Sequence, residues 1–511
     1  VLRRITGRIC MRAAMPDLQN AMAAADQLLL ASDGAAVAFC KVEEAARSGK
    51  WVLQIDIRNA FNEVTRSAVL DRMPRAPAVG PLAQTLYGET STMYVPRTLS
   101  NFPVSRGVIQ GCPFGSVLFA AALAPIAKGA ADGLPVEQVW YADDGHVVAD
   151  SLAPLTAYLD AFQRLASDSG LSVNMRKTRI LAPVPLASVP AGPAGRVDIV
   201  DHFTALGLPV VASSHPDGRS VRDSAWDDLR RRTTERVGSF QKVADPQLRI
   251  RLLARAGSWT RLRYHVVALG EAPQSVIAPL EELELDLLRT ILPAGAQPFG
   301  VCDTAWLRAT SPRCAGGLGL TSPSLEAAAA LPLAHDELVL RSRNKKSDAA
   351  AALAARLSVR ERAVADRVAA IRTGGTFHDR VILREIGDGK ASLILDVLAR
   401  PSDGTLLPPA AGAILIAMLL GVPFVGPTVA CNCPGTPTLG TTALHALVCP
   451  RTAIPRHNRA RDTLLVALRR HLPAAEVAVE AAIGVDGAPS SPDGGPRPVD
   501  LGYLANGSWT L

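Results

Sequence analysis

Two adjacent aspartates at the tip of a predicted β-hairpin are the feature that most restricts the fold of this sequence. Asp143 and Asp144 lie in the stretch EQVWYADDGHVVAD (residues 137–150), between an apolar approach and an apolar exit. This pattern predicts two short strands joined by a tight turn, which forces both carboxyl groups to the exposed tip. Because most such pairs are solvated turns, a chemical role requires further acids nearby.

A third aspartate ends a predicted strand elsewhere in the chain. The continuous apolar run of WVLQIDI (51–57) is typical of a central strand, and Asp56 stands at its end. An aspartate in this position is also common as a simple helix cap. If the strand and the hairpin are neighbours, three carboxylates converge, and divalent cations relieve their repulsion. The three acids therefore predict a site for two Mg²⁺ or Mn²⁺ ions.

The order of the predicted elements indicates an α+β domain built on one antiparallel sheet. The stretch from Met15 is expected to be helical and to end at Gly34, and residues 114–133 and 151–170 read as further helices. LSVNMRKTRILAP (171–183) is expected to return as a strand. A basic helical region follows in residues 221–264, where eleven Arg or Lys stand against five acids.

Five stretches, taken together and in order, resemble the palm motifs of reverse transcriptases. They are DIRNAFN (56–62), GVIQGCPFGSVLF (107–119), YADD (141–144), GLSVNMRKT (170–178) and ALGLPV (205–210). The resemblance covers roughly residues 15–310. It implies a right-hand polymerase fold with palm, fingers and a helical thumb, and RNA-directed DNA polymerase activity.

The resemblance also implies roles for single residues. Asp56, Asp143 and Asp144 would be the catalytic metal ligands, and Lys177 would act near the triphosphate as a general acid. Phe61, five residues after Asp56, would be the aromatic gate that excludes a ribose 2′-OH. Core packing of Phe61 and a merely solvated lysine remain the alternatives. The further residues implied in nucleotide or template binding are Arg58, Asn59, Gln110, Gly111, Pro113 and Tyr141.

The downstream sequence narrows the resemblance to non-LTR retrotransposon proteins. DPQLRIRLLARAGSWTRLRYHV (245–266) is similar to the thumb of this group, whose basic helices would hold primer–template phosphates. A solvated helical bundle is the alternative for this segment. RCAGGLGLTSPSLEAAAALPLA (313–334) resembles the segment that follows the thumb.

A group of cysteines and a histidine near the C-terminal end has a spacing compatible with zinc. The pattern is C-x-C-x11-H-x3-C, with three thiolates and one imidazole, a donor set that suits tetrahedral Zn²⁺. Reduced cysteines in a small core are the alternative. The position resembles the CCHC knuckle that precedes the restriction-like endonuclease of site-specific non-LTR elements. The implied ligands are Cys431, Cys433, His445 and Cys449.

The last residues resemble the start of that α/β endonuclease. Glu480 and Asp500 would be its first acids, and the sequence ends at Leu511 before a second metal-binding carboxylate and a lysine are reached. We therefore expect a truncated nuclease remnant. The fingers also depart from the family, since SDGAAVAFCKVEEA (32–45) has Gly-Ala-Ala where a glycine pair is usual.

These assignments give an expected domain organisation, a set of partners and a location. The partners would be an RNA template, a DNA primer or target, and dNTPs, in the nucleus. The expected domains are partial fingers (1–50), palm (51–215), helical thumb (216–310), helical connector (311–425), zinc knuckle (426–455) and truncated endonuclease (456–511).

Charge and composition are compatible with this reading. The net charge of +7 and the pI of about 9.1 permit a polyanionic partner without requiring one. The eight cysteines form no dense framework, which indicates a reducing compartment. No apolar run is long enough to predict a membrane span, so no membrane partner is expected.

Three functions remain open from the sequence. The first is an RNA-directed DNA polymerase that copies retrotransposon RNA into DNA at a genomic target. The second is a catalytically inactive, truncated remnant that only binds nucleic acid. The third is another palm-fold enzyme, such as a nucleotide cyclase, in which the QGCP loop and the Phe61 gate would have no role.

Overall fold

The computed structural model describes most of residues 2–374 and four short segments beyond them. The described segments beyond residue 374 are 409–420 with 422, 476–481, 499–505 and 508–510. Gaps before residue 374 fall at 25, 74–78, 96–99, 190–196, 294–295, 297–298, 301–302, 313–316 and 344. The chain forms two compact units. The first comprises Val1–Lys242, Leu252–Asp286 and Leu320–Arg367, and the second comprises the remaining residues.

A mixed five-stranded sheet forms the centre of the first unit. Its middle strand β1 (Trp51–Ile55) pairs antiparallel with β5 (Asp144–Ala149) on one side and with β6 (Arg179–Leu181) on the other. β4 (Glu137–Tyr141) pairs antiparallel with β5, and β7 (Asp198–Val200) pairs with β6 in parallel. The predicted hairpin and the central position of residues 51–55 are confirmed.

The expectation of a wholly antiparallel sheet is wrong at the β6–β7 edge. The 16 residues between these strands, 182–197, are long enough to cross over and return in the same direction, and they include a short 3₁₀ helix, Leu186–Ser188. The predicted strand over 171–183 is also shorter than expected. Asn174 accepts hydrogen bonds from the amides of Lys177 (3.0 Å) and Thr178 (2.9 Å), so the chain turns before β6 begins.

Side chains alternate between two cores on the two faces of the sheet, as the period of a strand requires. Leu53 and Val147 lie in one core, and their neighbours Val52 and Val148 lie in the other. The first core includes the buried helix α7 (Gly115–Ala131), whose apolar character the sequence predicts.

The N-terminal helices differ from prediction near Gly34. The chain forms α1 (Leu2–Ala13), α2 (Met15–Ala23) and α3 (Gly34–Arg47), so Gly34 begins a helix instead of ending one. After Ala23 the backbone leaves the helix and runs beside β4 through an isolated parallel bridge between Gln27 and Trp140. A Cβ at Gly34 would lie 1.9 Å from the Leu28 carbonyl oxygen, so this turn requires glycine.

Further helices and two hairpins complete the chain up to residue 211. The helices are α4 (Ala60–Glu63), α5 (Arg66–Asp71), α6 (Gly80–Tyr87) and α8 (Leu152–Ser167). The antiparallel hairpins are formed by β2 (Ser91–Val95) with β3 (Ser100–Val104), and by β8 (His202–Ala205) with β9 (Leu208–Val211).

The basic region predicted to be helical is helical, and many of its arginines are paired. On α9 (Gly218–Gly238), Arg231 contacts Asp228 at 2.6 Å and Glu235 at 2.9 Å. Arg230 and Arg232 also lie within 3.2 Å of aspartates on the same helix. The helices that follow are α10 (Pro246–Ala256), α11 (Ser258–Leu269) and α12 (Gln274–Arg289), with a 3₁₀ helix at Ser239–Lys242.

The remaining elements are helices followed by a small sheet. The helices are α13 (Thr304–Thr310), α14 (Pro323–Ser342), α15 (Lys346–Gly374) and α16 (Pro409–Leu420). In the second unit, α13 donates a hydrogen bond from Arg308 to the Leu419 carbonyl oxygen of α16 at 3.3 Å. The sheet has three antiparallel strands, β10 (Glu476–Ala481), β11 (Val499–Ala505) and β12 (Ser508–Thr510).

Two predictions concern the C-terminal part of the chain. Glu480 and Asp500 lie on the neighbouring strands β10 and β11, between the pairs Val479–Leu501 and Ala481–Val499. The zinc residues predicted at 431–449 lie outside the described residues. No helix among the described residues is long and apolar enough to cross a membrane.

Candidate active site

The structure brings the three predicted acids to one end of the central sheet. β1 ends at Ile55, which pairs with Gly145 of β5, and Asp56 is the next residue of the chain. On the opposite strand, Asp144 directly precedes Gly145, and Asp143 occupies the turn between β4 and β5. Antiparallel pairing of β1 with β5 therefore places Asp56 beside the aspartate pair, although 87 residues separate it from Asp143 in the sequence.

The three carboxylates interact unfavourably with one another. Partial burial raises the pKa of Asp143, its own backbone hydrogen bond lowers that pKa, and repulsion from Asp56 raises it. Burial of the carboxyl group raises the pKa of Asp144 to about 6, and repulsion from Asp143 and Asp56 adds to the rise.

The described part of the chain places no cationic side chain against this cluster. Among the described residues, no lysine, arginine or histidine nitrogen lies within 4.0 Å of the three carboxylates. Carboxylate oxygens are the ligands that Mg²⁺ prefers, and a bound cation would remove their mutual repulsion. The residues present therefore fit divalent cations, with Asp56, Asp143 and Asp144 as the residues that would hold them.

The three carboxylates are not arranged around a single point. Their oxygens do not all lie within 4.8 Å of one another. Across the described residues, the group of metal-ligating side chains that meets this limit is Asp201, His202 and His215. His202 Nδ1 lies 2.8 Å from Asp201, and His215 Nε2 lies 3.8 Å from it.

Hydrogen bonding argues against a metal at this second group. The Asp217 amide donates to His215 Nδ1 at 3.0 Å, so a neutral His215 carries its proton on Nε2, which faces Asp201. That nitrogen then has no lone pair for a metal. The sequence analysis did not single out this group, and its hydrogen bonds brace the loop between β9 and α9.

The backbone around Asp56 is held by the segment that contains Lys177. The Asp56 amide donates to Thr178 Oγ1 at 3.2 Å, and the Asn174 amide donates to the Asp56 carbonyl oxygen at 2.7 Å. Thr178 is fully buried. Lys177 is exposed in the turn between these two contacts, so the structure brings the turn that carries it against Asp56.

Phe61 and the QGCP loop share a small cavity. Phe61 lines a space of about 240 Å³ together with Gln110 and Gly111. The Val108 amide donates to the Phe61 carbonyl oxygen at 2.7 Å, which ties this loop to α4. The Phe61 ring also contacts the ring of Phe119 on α7, with centroids 4.7 Å apart. Phe61 thus lines a cavity and packs on the core at once.

Three other predicted residues occupy the surroundings of this region. Pro113 packs against α1, since a Cβ at Gly7 would lie 2.9 Å from its Cγ atom. Tyr141 is half-buried and pairs with Asp144 across the hairpin. Arg58 is exposed, and its amide donates to the Ser172 carbonyl oxygen at 2.9 Å.

A larger cavity of about 1040 Å³ shares none of its lining residues with the acids. It is lined by Arg47, Arg222 and Trp226, among others, and its charges include Asp223 and Glu271. Because acids and arginines are mixed there and Arg222 is already paired with Glu43, we place the chemistry at the acid cluster and not in this larger space.

Comparison with known proteins finds a match to one family model over part of the chain. Residues 2–210 match the family model described as reverse transcriptase (RNA-dependent DNA polymerase). A search of the curated proteins returned no match. Among the solved structures that are similar to this chain, two are of telomerase.

The first is telomerase from Candida albicans with a TWJ fragment of telomeric RNA, at 12% identity and a TM-score of 0.29, covering 51% of this chain and 43% of that one. The second is apo telomerase from Candida tropicalis, at 9% identity and a TM-score of 0.33, covering 82% of this chain and 62% of that one. This chain therefore spans less than two thirds of either, and the assignment of the domain depends on the family match alone.

Proposed function

We propose that this chain copies retrotransposon RNA into DNA at a genomic target, a reading supported by the match of residues 2–210 to the reverse transcriptase (RNA-dependent DNA polymerase) family model. The observation that carries the proposal is the meeting of Asp56 with Asp143 and Asp144 at one end of the sheet. Three carboxylates without a protein cation are suited to phosphoryl-group chemistry and have no evident structural use.

The acids and the residues around them would each have a separate role in nucleotide addition. When bound by the three aspartates, two Mg²⁺ or Mn²⁺ ions would lower the pKa of a primer 3′-hydroxyl and neutralise charge on the departing pyrophosphate. The ring of Phe61 would exclude a ribose 2′-OH by contact. Gln110 and Gly111 would support the base pair from the other side of their shared cavity. Lys177 would donate a proton to the pyrophosphate.

The finer identity of the enzyme depends on sequence features. Resemblance of residues 245–266 to a non-LTR thumb supports a retrotransposon source, an RNA template and a nuclear DNA target. Cys431, Cys433, His445 and Cys449 would hold Zn²⁺ in a knuckle, and Glu480 with Asp500 would belong to a restriction-like endonuclease.

A double substitution tests the proposal. In Asp143→Ala with Asp144→Ala, we expect template-dependent dNTP incorporation to fall by about 1000-fold or more, because the cation site loses two of its three carboxylates. Primer extension on poly(rA)/oligo(dT) measures the effect. The matched control is Asp132→Ala with Asp168→Ala, which removes two exposed acids from the same domain and is expected to keep full activity.

Unchanged incorporation by the Asp143/Asp144 variant would refute the assignment of the site. A wild-type chain that binds nucleic acid with steep salt dependence but adds no nucleotide would instead support the non-catalytic remnant.

A further inference from the structure

A buried glutamine outside every predicted motif contacts the turn that carries Asp143. Gln27 lies between α2 and α3, 115 residues before Ala142, and is 3% exposed. Its neighbours run beside β4, where the Leu28 amide donates to the Trp140 carbonyl oxygen at 2.8 Å. The Trp140 amide in turn donates to the Asp26 carbonyl oxygen at 3.0 Å. The backbone pairing ends at Trp140, and the Gln27 side chain reaches further along the hairpin.

The amide of Gln27 satisfies both peptide groups of Ala142. Its Nε2 donates to the Ala142 carbonyl oxygen at 2.8 Å, and its Oε1 accepts from the Ala142 amide at 3.1 Å. Ala142 is 8% exposed, so water does not readily replace these bonds. The Gln27 side chain thus bonds the N–H and C=O groups of Ala142 as the backbone of a neighbouring strand would.

The turn has a conformation that its own sequence does not favour. Ala142 and Asp143 form a two-residue turn, because Tyr141 pairs with Asp144. Ala142 has φ of 55°, in the left-handed region that alanine rarely adopts. Glycine or asparagine would be the usual residue at such a position. The two hydrogen bonds from Gln27 support this conformation from outside the turn.

The contact is made to the peptide plane that carries Asp143. The Ala142 carbonyl group belongs to the peptide plane whose nitrogen is that of Asp143. A hydrogen bond to this carbonyl fixes the rotation of the plane and, with it, the direction in which the Asp143 side chain leaves the backbone. The Asp143 carboxyl group would otherwise move away from Asp56, since their repulsion favours separation.

We infer that Gln27 is a positioning residue that orients the Asp143 carboxylate for cation binding through the backbone of Ala142. The catalytic part of this inference rests on the proposed function. The effect of Gln27 on cation binding can be measured without any polymerase activity. Gln27 contacts neither substrate nor cation in this role. Residues that orient metal ligands from outside typically contribute 10- to 100-fold to metal affinity or activity.

The test compares Gln27→Met with a control variant that also loses buried side-chain hydrogen bonds. Methionine keeps the length of the side chain and removes both hydrogen bonds. The control is Tyr158→Phe, which removes a fully buried hydroxyl bonded to the Ala127 carbonyl oxygen (3.2 Å) and to Gln138 (2.9 Å), without touching the turn. Mn²⁺ binding to the chain without nucleic acid, followed by electron paramagnetic resonance, is the first readout.

We expect Mn²⁺ affinity to fall about 10- to 100-fold in Gln27→Met and to stay within twofold of wild type in Tyr158→Phe. In primer extension, kcat should fall by a similar factor and the Mg²⁺ requirement should rise, whereas KM for primer–template should not change. Equal Mn²⁺ affinity in Gln27→Met and wild type would show that Gln27 only stabilises the fold.

Ala142→Gly provides a second test, in the form of a double-mutant cycle with Gln27→Met. Glycine adopts the left-handed conformation without strain, so the turn should need Gln27 less. We expect the loss of Mn²⁺ affinity caused by Gln27→Met to be at least threefold smaller in the Ala142→Gly background, and full additivity would contradict the inference. If wild type binds Mn²⁺ but never polymerises, the proposed function fails and these affinities still decide the role of Gln27.

Discussion

At the scale of single residues, Phe61 is held from two sides. Its ring contacts Phe119 on the core side, and its carbonyl oxygen accepts the hydrogen bond that fixes the QGCP loop. From the sequence, a nucleotide gate and core packing are both possible for this residue. The structure shows the packing and the cavity together, and a ring braced in this way would exclude an extra hydroxyl more sharply than a mobile one.

Phe61→Ala tests this at the level of nucleotide choice. Removal of the ring should open the cavity of about 240 Å³ toward the position of a 2′-OH. We expect the ratio of kcat/KM for dNTP over rNTP to fall by about 10- to 200-fold. Phe61→Tyr keeps the bulk of the ring and should keep the ratio. A ratio that is the same in Phe61→Ala and wild type would leave Phe61 with a packing role alone.

At the scale of elements, the β4–β5 hairpin shows what the sequence could and could not predict. Its strands follow from local alternation of apolar residues, and its neighbour β1 follows from a continuous apolar run, so the meeting of the three acids was predictable. Gln27 was not, because a polar residue in a loop gives no local signal of a partner 115 residues away. Ala142 gives no signal either, since the bond is to its backbone.

The same reasoning explains the misplaced helix boundary at Gly34. Glycine usually follows a helix, and the residues after Ala23 have helical propensity. Pairing of residues 26–28 with β4 is a tertiary contact that outweighs this propensity. The parallel pairing of β6 with β7 is likewise a tertiary contact, and local sequence does not encode the relative direction of two strands.

Gly145→Ala is a prediction about the packing of this hairpin. A Cβ at Gly145 would lie 2.2 Å from Trp140 Cζ3, and Trp140 is itself stacked on Phe162 with centroids 5.5 Å apart. The indole cannot move without disturbing the core. We therefore expect the free energy of unfolding to fall by about 1–3 kcal/mol.

Chemical unfolding measures this change. Gly238→Ala is the control, since an added Cβ there has no atom within 4 Å. A Gly145→Ala variant as stable as the control would mean that Trp140 has room to shift.

At the scale of the whole molecule, a buried acid in the first unit should make stability depend on pH. Glu284 is 1% exposed and accepts a hydrogen bond from the Ser258 amide at the start of α11. Burial raises its pKa to about 7 from the ordinary 4.5, the hydrogen bonds from Ser258 lower it, and repulsion from Glu281 raises it.

The sign of the pH dependence follows from the direction of that change. Below pH 4.5 both folded and unfolded chains hold the proton, so the contribution of Glu284 to stability is fully present. Between pH 4.5 and about 7 the unfolded chain releases its proton first, so stability falls as pH rises. Above that range the loss is complete, at roughly 3 kcal/mol.

Glu284→Gln should remove this dependence while keeping an acceptor for the Ser258 amide. Urea unfolding from pH 4 to pH 8 measures it, and at pH 8 the variant should be more stable than wild type by up to about 3 kcal/mol. Glu89→Gln, at an exposed position, is the control and should follow wild type. A difference between Glu284→Gln and wild type that stays constant with pH would contradict the assignment.

The ion pairs formed by the arginines of α9 affect how strongly this helix could bind a polyanion. Arg230, Arg231 and Arg232 each already have a carboxylate as neighbour. A phosphate that approaches them exchanges one anionic partner for another, instead of neutralising a bare positive charge. A count of the basic side chains on this helix therefore overestimates its electrostatic affinity for a nucleic acid strand. It also overestimates the number of counterions that binding would release.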